Sequence, residues 1–465
     1  MDDETECLDT LATLAETVPA GYACGMAPIP APGPGHVEAP ASVSQRLLWM
    51  IQHYRADFGA LSCPLLCRIR GPVDLDRLRD ALDAVARRHA SLRTTFRGRG
   101  ARLTQVIHPP RPMPFELRDL STAADPDRLL SQEMVEELAR PVLVDTWPAR
   151  ATVWRLAADH HTLCLNLHHL VTDAYSTGVL LADLATCYDD PGGPTGDGWS
   201  YARFAQWQYD RLRGAELDRQ RAYWRDQLAG GQSPRLGQPT GARPGGPAVA
   251  QAGFPAGVLP AVRELAARVG TTPFVVLLAA FYANLHRHTG QTDVSVASMF
   301  ANRSRPEVRQ TVGLIANMVL LRTPVDPTAS FLDLVRVAHR TAVGALVNQD
   351  LPVQMLPAGA APAGPGRPDD VVFNVMADLA RTATVRDVTF ELELPVQLGS
   401  RFPLEQTVVP IGTEPRAVLF RADDRMTDDT ADDFLRGYVR IVSEGANDPA
   451  RRVADLAGRS TGHAL

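Results

Sequence analysis

Two adjacent histidines, His168 and His169, with Asp173 closing a short loop after them, are the side chains of this sequence best typed and spaced for proton chemistry. The run Leu163-Cys164-Leu165-Asn166-Leu167 before them places leucines at alternate positions and reads as a buried strand. After Ser176 the apolar residues Val179, Leu180, Leu181, Leu184 and Tyr188 fall at helical spacing. The pair therefore sits at a strand end beside a loop, a rigid place from which an acid or base can face solvent. Neighbouring side chains of a strand point to opposite faces, so the two histidines cannot share one task. One addresses a cleft and the other packs or hydrogen-bonds internally. Asp173 could orient an imidazole or pin the loop through an arginine. A lone HHxxxD string is more often a buried histidine pair beside a solvated aspartate; here other segments accompany it.

Those residues resemble the HHxxxDG core of the condensation domains of nonribosomal peptide synthetases and related acyltransferases. Further segments resemble the same family in the same order. Ser42-Val43-Ser44-Gln45-Arg46-Leu47-Leu48-Trp49 is similar to SxAQxRLW, with the arginine one place early. Arg88-His89-Ala90-Ser91-Leu92-Arg93-Thr94-Thr95-Phe96 is similar to RHxxLRTxF. Tyr201 to Gln208 resembles YxDYAxWQ, and Asn302-Arg303-Ser304-Arg305-Pro306-Glu307 resembles GRxxPE. Val312-Gly313-Leu314-Ile315-Ala316-Asn317 is similar to VGxFxN, Asn348-Gln349-Asp350-Leu351-Pro352 to HQDxPFE, and Val372-Phe373-Asn374-Val375-Met376 to LFQVMF. The likeness runs from Ser42 to about Leu456.

The resemblance implies a mixed α/β (α+β) fold of two chloramphenicol-acetyltransferase-like lobes in a V, with a central channel at the histidine strand. It implies an acyltransferase that forms amide or ester bonds. An acyl or aminoacyl thioester on the phosphopantetheine of a carrier protein would react with a small-molecule amine or alcohol, and the thioester's own activation makes a cofactor unnecessary. His169 matches the family's second histidine, a general base or an orienting acceptor for the attacking group; His168 matches the first, which packs behind the site. Asp173 is expected to be structural, ion-paired with Arg303 from the second lobe; Arg93 and Ser176 are supporting positions. Ala174 stands where the family has glycine, which restricts positive φ while keeping the backbone N–H. Asn302 likewise replaces the glycine before Arg303, and Val353-Gln354 replaces the Phe-Glu after Pro352.

The composition sets outer bounds. At 465 residues, two lobes are expected on size. A net charge of −6 offers no basic surface for nucleic acid. The sequence has no lysine, so all 47 basic residues are arginine, which excludes Schiff-base lysine and P-loop chemistry. The six cysteines form no CxxC pair and read as buried thiols of a reducing cytoplasm. No metal site is expected: His286 and His288 lie two apart on a helix, hence on different faces. The acidic start Met1-Asp2-Asp3-Glu4 is unlike a secretory signal, and no apolar run is long enough for a bilayer. A cytoplasmic protein without a membrane partner is expected.

Along the chain, residues 1–40 read as a proline-rich extension, 41–229 as the first lobe, 230–246 as a linker and 247–465 as the second lobe. Strands are expected at Cys63–Ile69, Arg93–Phe96, Leu103–Ile107, Ala149–Leu156, Gln251–Phe254, Asp293–Met299, Leu314–Leu320, Val371–Ala377, Thr389–Leu394 and Ala417–Arg421. Helices are expected from Ser42 to Tyr54 and at Asp74–His89, Asp125–Leu138, Leu259–Val269, Phe274–His288, Ser330–Val347 and Asp428–Glu444, with one long helix over Tyr201–Leu228. The sequence carries no adenylation or carrier segment, from which a free-standing enzyme acting in trans is expected. Alternatives are an acyl-CoA-dependent enzyme of the same fold, whose late DFGWG segment is absent, and a non-catalytic recruitment domain. The EGHGRE-type segment of an epimerase is absent, and the histidine pair stands where a heterocyclising enzyme would carry Asp.

Overall fold

A computed structural model describes residues 35–54, 61–98, 102–193, 198–236, 248–352, 355–356, 360, 367–376, 382–393, 402–411, 414–421 and 426–458. The proline-rich extension up to residue 34, most of the expected linker, and Val353-Gln354 lie outside them.

The chain divides into two compact units. The first gathers Met1–Glu216, Ala301–Ala316 and Leu379–Pro395. Two segments that the sequence places in the second lobe therefore belong with the first unit. At its centre is a six-stranded sheet in the order Thr382–Val385, Val388–Glu393, Leu65–Arg70, His160–Leu167, Ala149–Ala157, Phe115–Asp119. All neighbours are antiparallel except the last pair. The histidine strand is thus interior, paired on both sides. Its leucines Leu163, Leu165 and Leu167 face the main core, where they meet helices Leu75–Arg88 and Ala174–Asp189. Alternation puts this face inward because each of the three leucines would otherwise expose an apolar side chain of about 1.5–3 kcal/mol transfer value. Helix Leu75–Arg88 starts where Asp74 accepts from the backbone N–H groups of Asp76 and Arg77. A small three-stranded sheet, Val37–Pro40 with Thr104–Ile107 and Thr94–Arg97, completes the unit.

The second unit holds another six-stranded sheet, in the order Asn317–Pro324, Asp293–Phe300, Val371–Val375, Leu404–Ile411, Glu414–Arg421, Ala248–Gly253. The central strand Val371–Val375 is parallel to both neighbours. Helix Pro273–Thr289 is buried along nearly its whole length, and Phe281 stacks on Phe373 of the central strand at 4.8 Å. Among the described residues no single helix is long and apolar enough to cross a membrane.

Three expectations need correction. The stretch Tyr201–Leu228 is two helices, Tyr201–Arg211 and Gly214–Leu228, because Leu212 leaves helical geometry (φ −90°, ψ 57°) and Gly214 takes φ +54°. The strand expected at Leu314–Leu320 begins only at Asn317, since the amides of Ile315 and Ala316 are committed to the Asp173 carboxylate. Strands Val37–Pro40, Phe115–Asp119, Thr382–Val385 and Leu404–Ile411 are additions to the expected set, the first of them inside the stretch expected as a proline-rich extension.

Leu165, 1% exposed in the middle of the histidine strand, tests the first core. Leu165→Ala is expected to lower the unfolding free energy by about 2–5 kcal/mol, read as a reduced urea midpoint with an unchanged slope.

Candidate active site

The histidine strand ends at Leu167, and the two histidines are then pinned by backbone bonds from both sides. The His168 N–H donates to the Pro148 carbonyl at 3.0 Å, and the His169 N–H donates to the Leu61 carbonyl at 2.8 Å. His168 is buried, and its Nδ1 accepts from the Leu170 N–H at 3.1 Å, which puts the ring proton of the neutral imidazole on Nε2. His169 is half-buried, and its Nδ1–H donates to the Thr172 carbonyl at 2.9 Å. A carbonyl can only accept, so this bond fixes the opposite tautomer and leaves the basic lone pair on Nε2. Adjacent residues thus carry opposite tautomers on differently exposed rings.

Asp173 is 1% exposed and caps helix Ala174–Asp189. Its Oδ1 accepts from the Ser176 N–H (2.8 Å), the Ser176 hydroxyl (2.7 Å) and Arg303 Nη2 (3.1 Å). Its Oδ2 accepts from Arg303 Nη1 (2.8 Å) and from the N–H groups of Ile315 (3.0 Å) and Ala316 (2.8 Å). Burial alone would push this carboxyl up. The Arg303 charge, with the hydrogen bonds from Arg303, Ser176 and Ala316, outweighs burial and holds it below the usual aspartate range. Arg303 also donates to the Thr311 carbonyl at 3.0 Å, and its guanidinium lies 4.4 Å from the centre of the Tyr175 ring.

The Asp173–Arg303 pair expected from sequence is therefore present and bidentate, with one difference. Arg303 lies in the 301–316 segment, in the same compact unit as Asp173, so the pair holds that segment within the first unit rather than joining lobes. Ser176 joins the same network, accepting from Arg303 Nη2 at 3.0 Å and from the Gly313 N–H at 3.1 Å. Ala174 is the first residue of its helix and is not left-handed, so replacing glycine there strains nothing. Asn302 does take φ +53°, the region that favours glycine and, after it, asparagine. Arg93 is directed elsewhere: it donates to the His108 carbonyl. What the sequence does not disclose is the part played by main-chain groups, namely the Thr172 carbonyl and the Ile315 and Ala316 amides. No side-chain pattern encodes them.

The late motifs serve the second unit. Asn317 donates to the Gln349 carbonyl at 2.6 Å, and Trp224 donates to the Asn348 carbonyl at 3.0 Å. Asn374 accepts from the Met299 N–H at 2.9 Å. Among the described residues no group of three or more His, Cys, Asp or Glu side chains could hold a metal ion.

Within the first unit, a histidine pair at a strand end is thus followed by a loop closed on a buried Asp–Arg pair. The chain belongs to the condensation-domain family, whose model matches residues 36–374. A linear gramicidin synthase of Brevibacillus parabrevis is 33% identical over 342 residues, which are 70% of this chain and 4% of that protein. The chain thus spans a small fraction of that relative's length. SgcC5 of Streptomyces globisporus superposes with a TM-score of 0.73 at 25% identity, over 89% of this chain and 100% of the other. The first condensation domain of the calcium-dependent antibiotic synthetase gives a TM-score of 0.77 at 23% identity, over 90% and 99%. The fold is that of condensation domains, mixed α/β with chloramphenicol-acetyltransferase-like lobes.

Asp173→Asn keeps the shape of the carboxylate but removes its charge beside a buried guanidinium. Breaking such a pair from one side costs about 3–5 kcal/mol, measurable by denaturant unfolding near neutral pH. The sign with pH follows from the lowered folded-state value. The contribution is complete above the unfolded aspartate pKa of about 3.9 and is lost as pH falls through the lower folded value. The gap in stability between wild type and Asp173→Asn is therefore expected to narrow below about pH 4.

Proposed function

We propose that this chain is a condensation enzyme that joins an acyl or aminoacyl thioester, carried on the phosphopantetheine of a carrier protein, to an amine or alcohol. The observation that carries the reading is the tautomer of His169: with Nδ1–H held by the Thr172 carbonyl, the basic lone pair stands on Nε2. The acceptor's N–H or O–H attacks the thioester carbonyl, the C–S bond breaks, and the thiol leaves. His169 Nε2 takes the acceptor's proton and returns it to the departing sulfur, or orients the acceptor so that the proton passes directly. Alignment of the two reactants supplies the larger share of the rate, and proton transfer about 10²–10⁴-fold. No cofactor is needed, because the thioester is already activated. His168 packs behind the site, and Asp173, Arg303 and Ser176 hold the loops around it.

The family supports amide or ester formation. SgcC5, matched over its full solved chain, was solved with 1-(2-naphthyl)-1,2-ethanediol, which supports an alcohol as an acceptor class. Cys67, Cys164 and Cys187 are buried thiols rather than disulfides, which suits a cytoplasmic setting.

The test is thiol release from acyl groups presented on a carrier protein and, separately, on CoA, with a pool of amines and alcohols. The carrier-bound donor is expected to react, and His169→Ala to lose about 10²-fold or more in turnover. Equal use of CoA would move the reading to a general acyltransferase, and undiminished turnover in the variant would remove His169 from the chemistry.

A further inference from the structure

The histidine turn and the Gly313–Ala316 turn that donates to Asp173 are joined by a second, uncharged connection. Tyr201, at the start of helix Tyr201–Arg211, is 3% exposed, and its hydroxyl donates to the Leu314 carbonyl at 2.8 Å. With that proton committed, the same oxygen accepts from the Ser42 hydroxyl at 2.7 Å. Ser42 Oγ in turn accepts from the Gln45 N–H at 3.1 Å, while the Ser42 N–H donates to Gln45 Oε1 at 3.0 Å. Gln45 Nε2 then donates to the Leu170 carbonyl at 2.8 Å, inside the turn that runs from His168 to Thr172. Every donor and acceptor in this path is used in a consistent direction, and every member is buried. The helix carrying Tyr201 also grips the neighbouring backbone: Gln208 Oε1 accepts from the Val43 N–H at 3.2 Å, and the Tyr209 hydroxyl donates to the Ala41 carbonyl at 2.6 Å.

We propose that Tyr201 is a positioning residue for His169, acting through Ser42 and Gln45 to fix the turn whose Thr172 carbonyl selects the His169 tautomer. The relay assigns one purpose to residues of two separate motifs. It rests on the reading of His169 as the residue that handles the acceptor's proton. Geometry also explains the close seat of the Tyr201 ring: a Cβ on Gly313 would lie 1.9 Å from Tyr201 Cδ2, so the ring packs where only glycine leaves room. The ring therefore holds its place without the hydroxyl, and Tyr201→Phe removes the relay alone.

The experiment uses the full chain labelled with 15N at histidine, the His169 resonances being those missing from His169→Ala. In the wild type the His169 nitrogens are expected to show a protonated Nδ1 and an unprotonated Nε2. In Tyr201→Phe, and equally in Ser42→Ala, they are expected to move toward a mixture of both tautomers. In the thiol-release assay both variants are expected to lose about tenfold in kcat with KM for the carrier-bound donor unchanged. An unchanged His169 nitrogen pattern in the variants overturns the proposal, whatever the rates do. If Tyr201→Phe does not fold, Ser42→Ala decides, since it cuts the same path from the other side. Should the wild type release no thiol from any donor, the functional reading fails, while the nitrogen pattern still decides whether Tyr201 sets the tautomer.

Discussion

A single carboxylate, buried at Asp173, dictates the geometry of everything near the histidines. An ionised group taken out of water costs several kcal/mol unless its lone pairs are answered, and here six donors answer them. Only two of the six come from a charged side chain. The rest are a hydroxyl and three backbone amides, which can converge on one carboxylate only if the chain folds tightly around it. The 311–316 turn is therefore not free to continue as a strand. Its Ile315 and Ala316 amides are spent on Asp173, its Gly313 amide on Ser176, its Thr311 carbonyl on Arg303, and its Leu314 carbonyl on Tyr201. Arg303 completes the arrangement from a left-handed Asn302 that aims its side chain inward.

Much of this is legible in the residues, and the failures have physical causes. Long periodic helices and strongly apolar strands such as His160–Leu167 announce themselves. The partners Asp173 and Arg303 are recognisable because charge and motif position both survive in a string of letters. The strand expected at Leu314–Leu320 starts late because its apolar pattern is genuine, yet the tertiary demand of Asp173 overrides it. Phe115–Asp119 alternates only weakly and sits at a sheet edge, where one side is solvated. The hairpin Thr382–Val385 to Val388–Glu393 turns through Arg386 (φ +49°) and Asp387 (φ +62°). A two-residue turn with both residues left-handed is normally written Asn-Gly or Asp-Gly, and Arg-Asp carries no such mark.

The two departures from the family's glycines show how the same letter change can mean different things. Asn302 occupies a left-handed position, so the backbone still requires what glycine supplies elsewhere in the family, and asparagine is a tolerable substitute. Ala174 occupies a helical position, where the backbone requires nothing special and alanine is the better helix former. Sequence marks both as departures; only the dihedral angles separate them.

The first unit is assembled from three stretches of chain, and that has a consequence for the order of events at birth. Asp173 emerges from the ribosome 130 residues before Arg303. At typical synthesis rates of 5–20 residues per second the carboxylate waits roughly 7–26 s for its counter-charge. The strand Val388–Glu393, which flanks Leu65–Arg70 in the central sheet, arrives later still. During that interval the histidine strand has its neighbours, but the loop after it has no buried charge pair to close on. The centre of the site is thus among the last parts of its unit to set, and a nascent chain cut short before residue 303 carries both histidines without the pair that shapes the loop beside them.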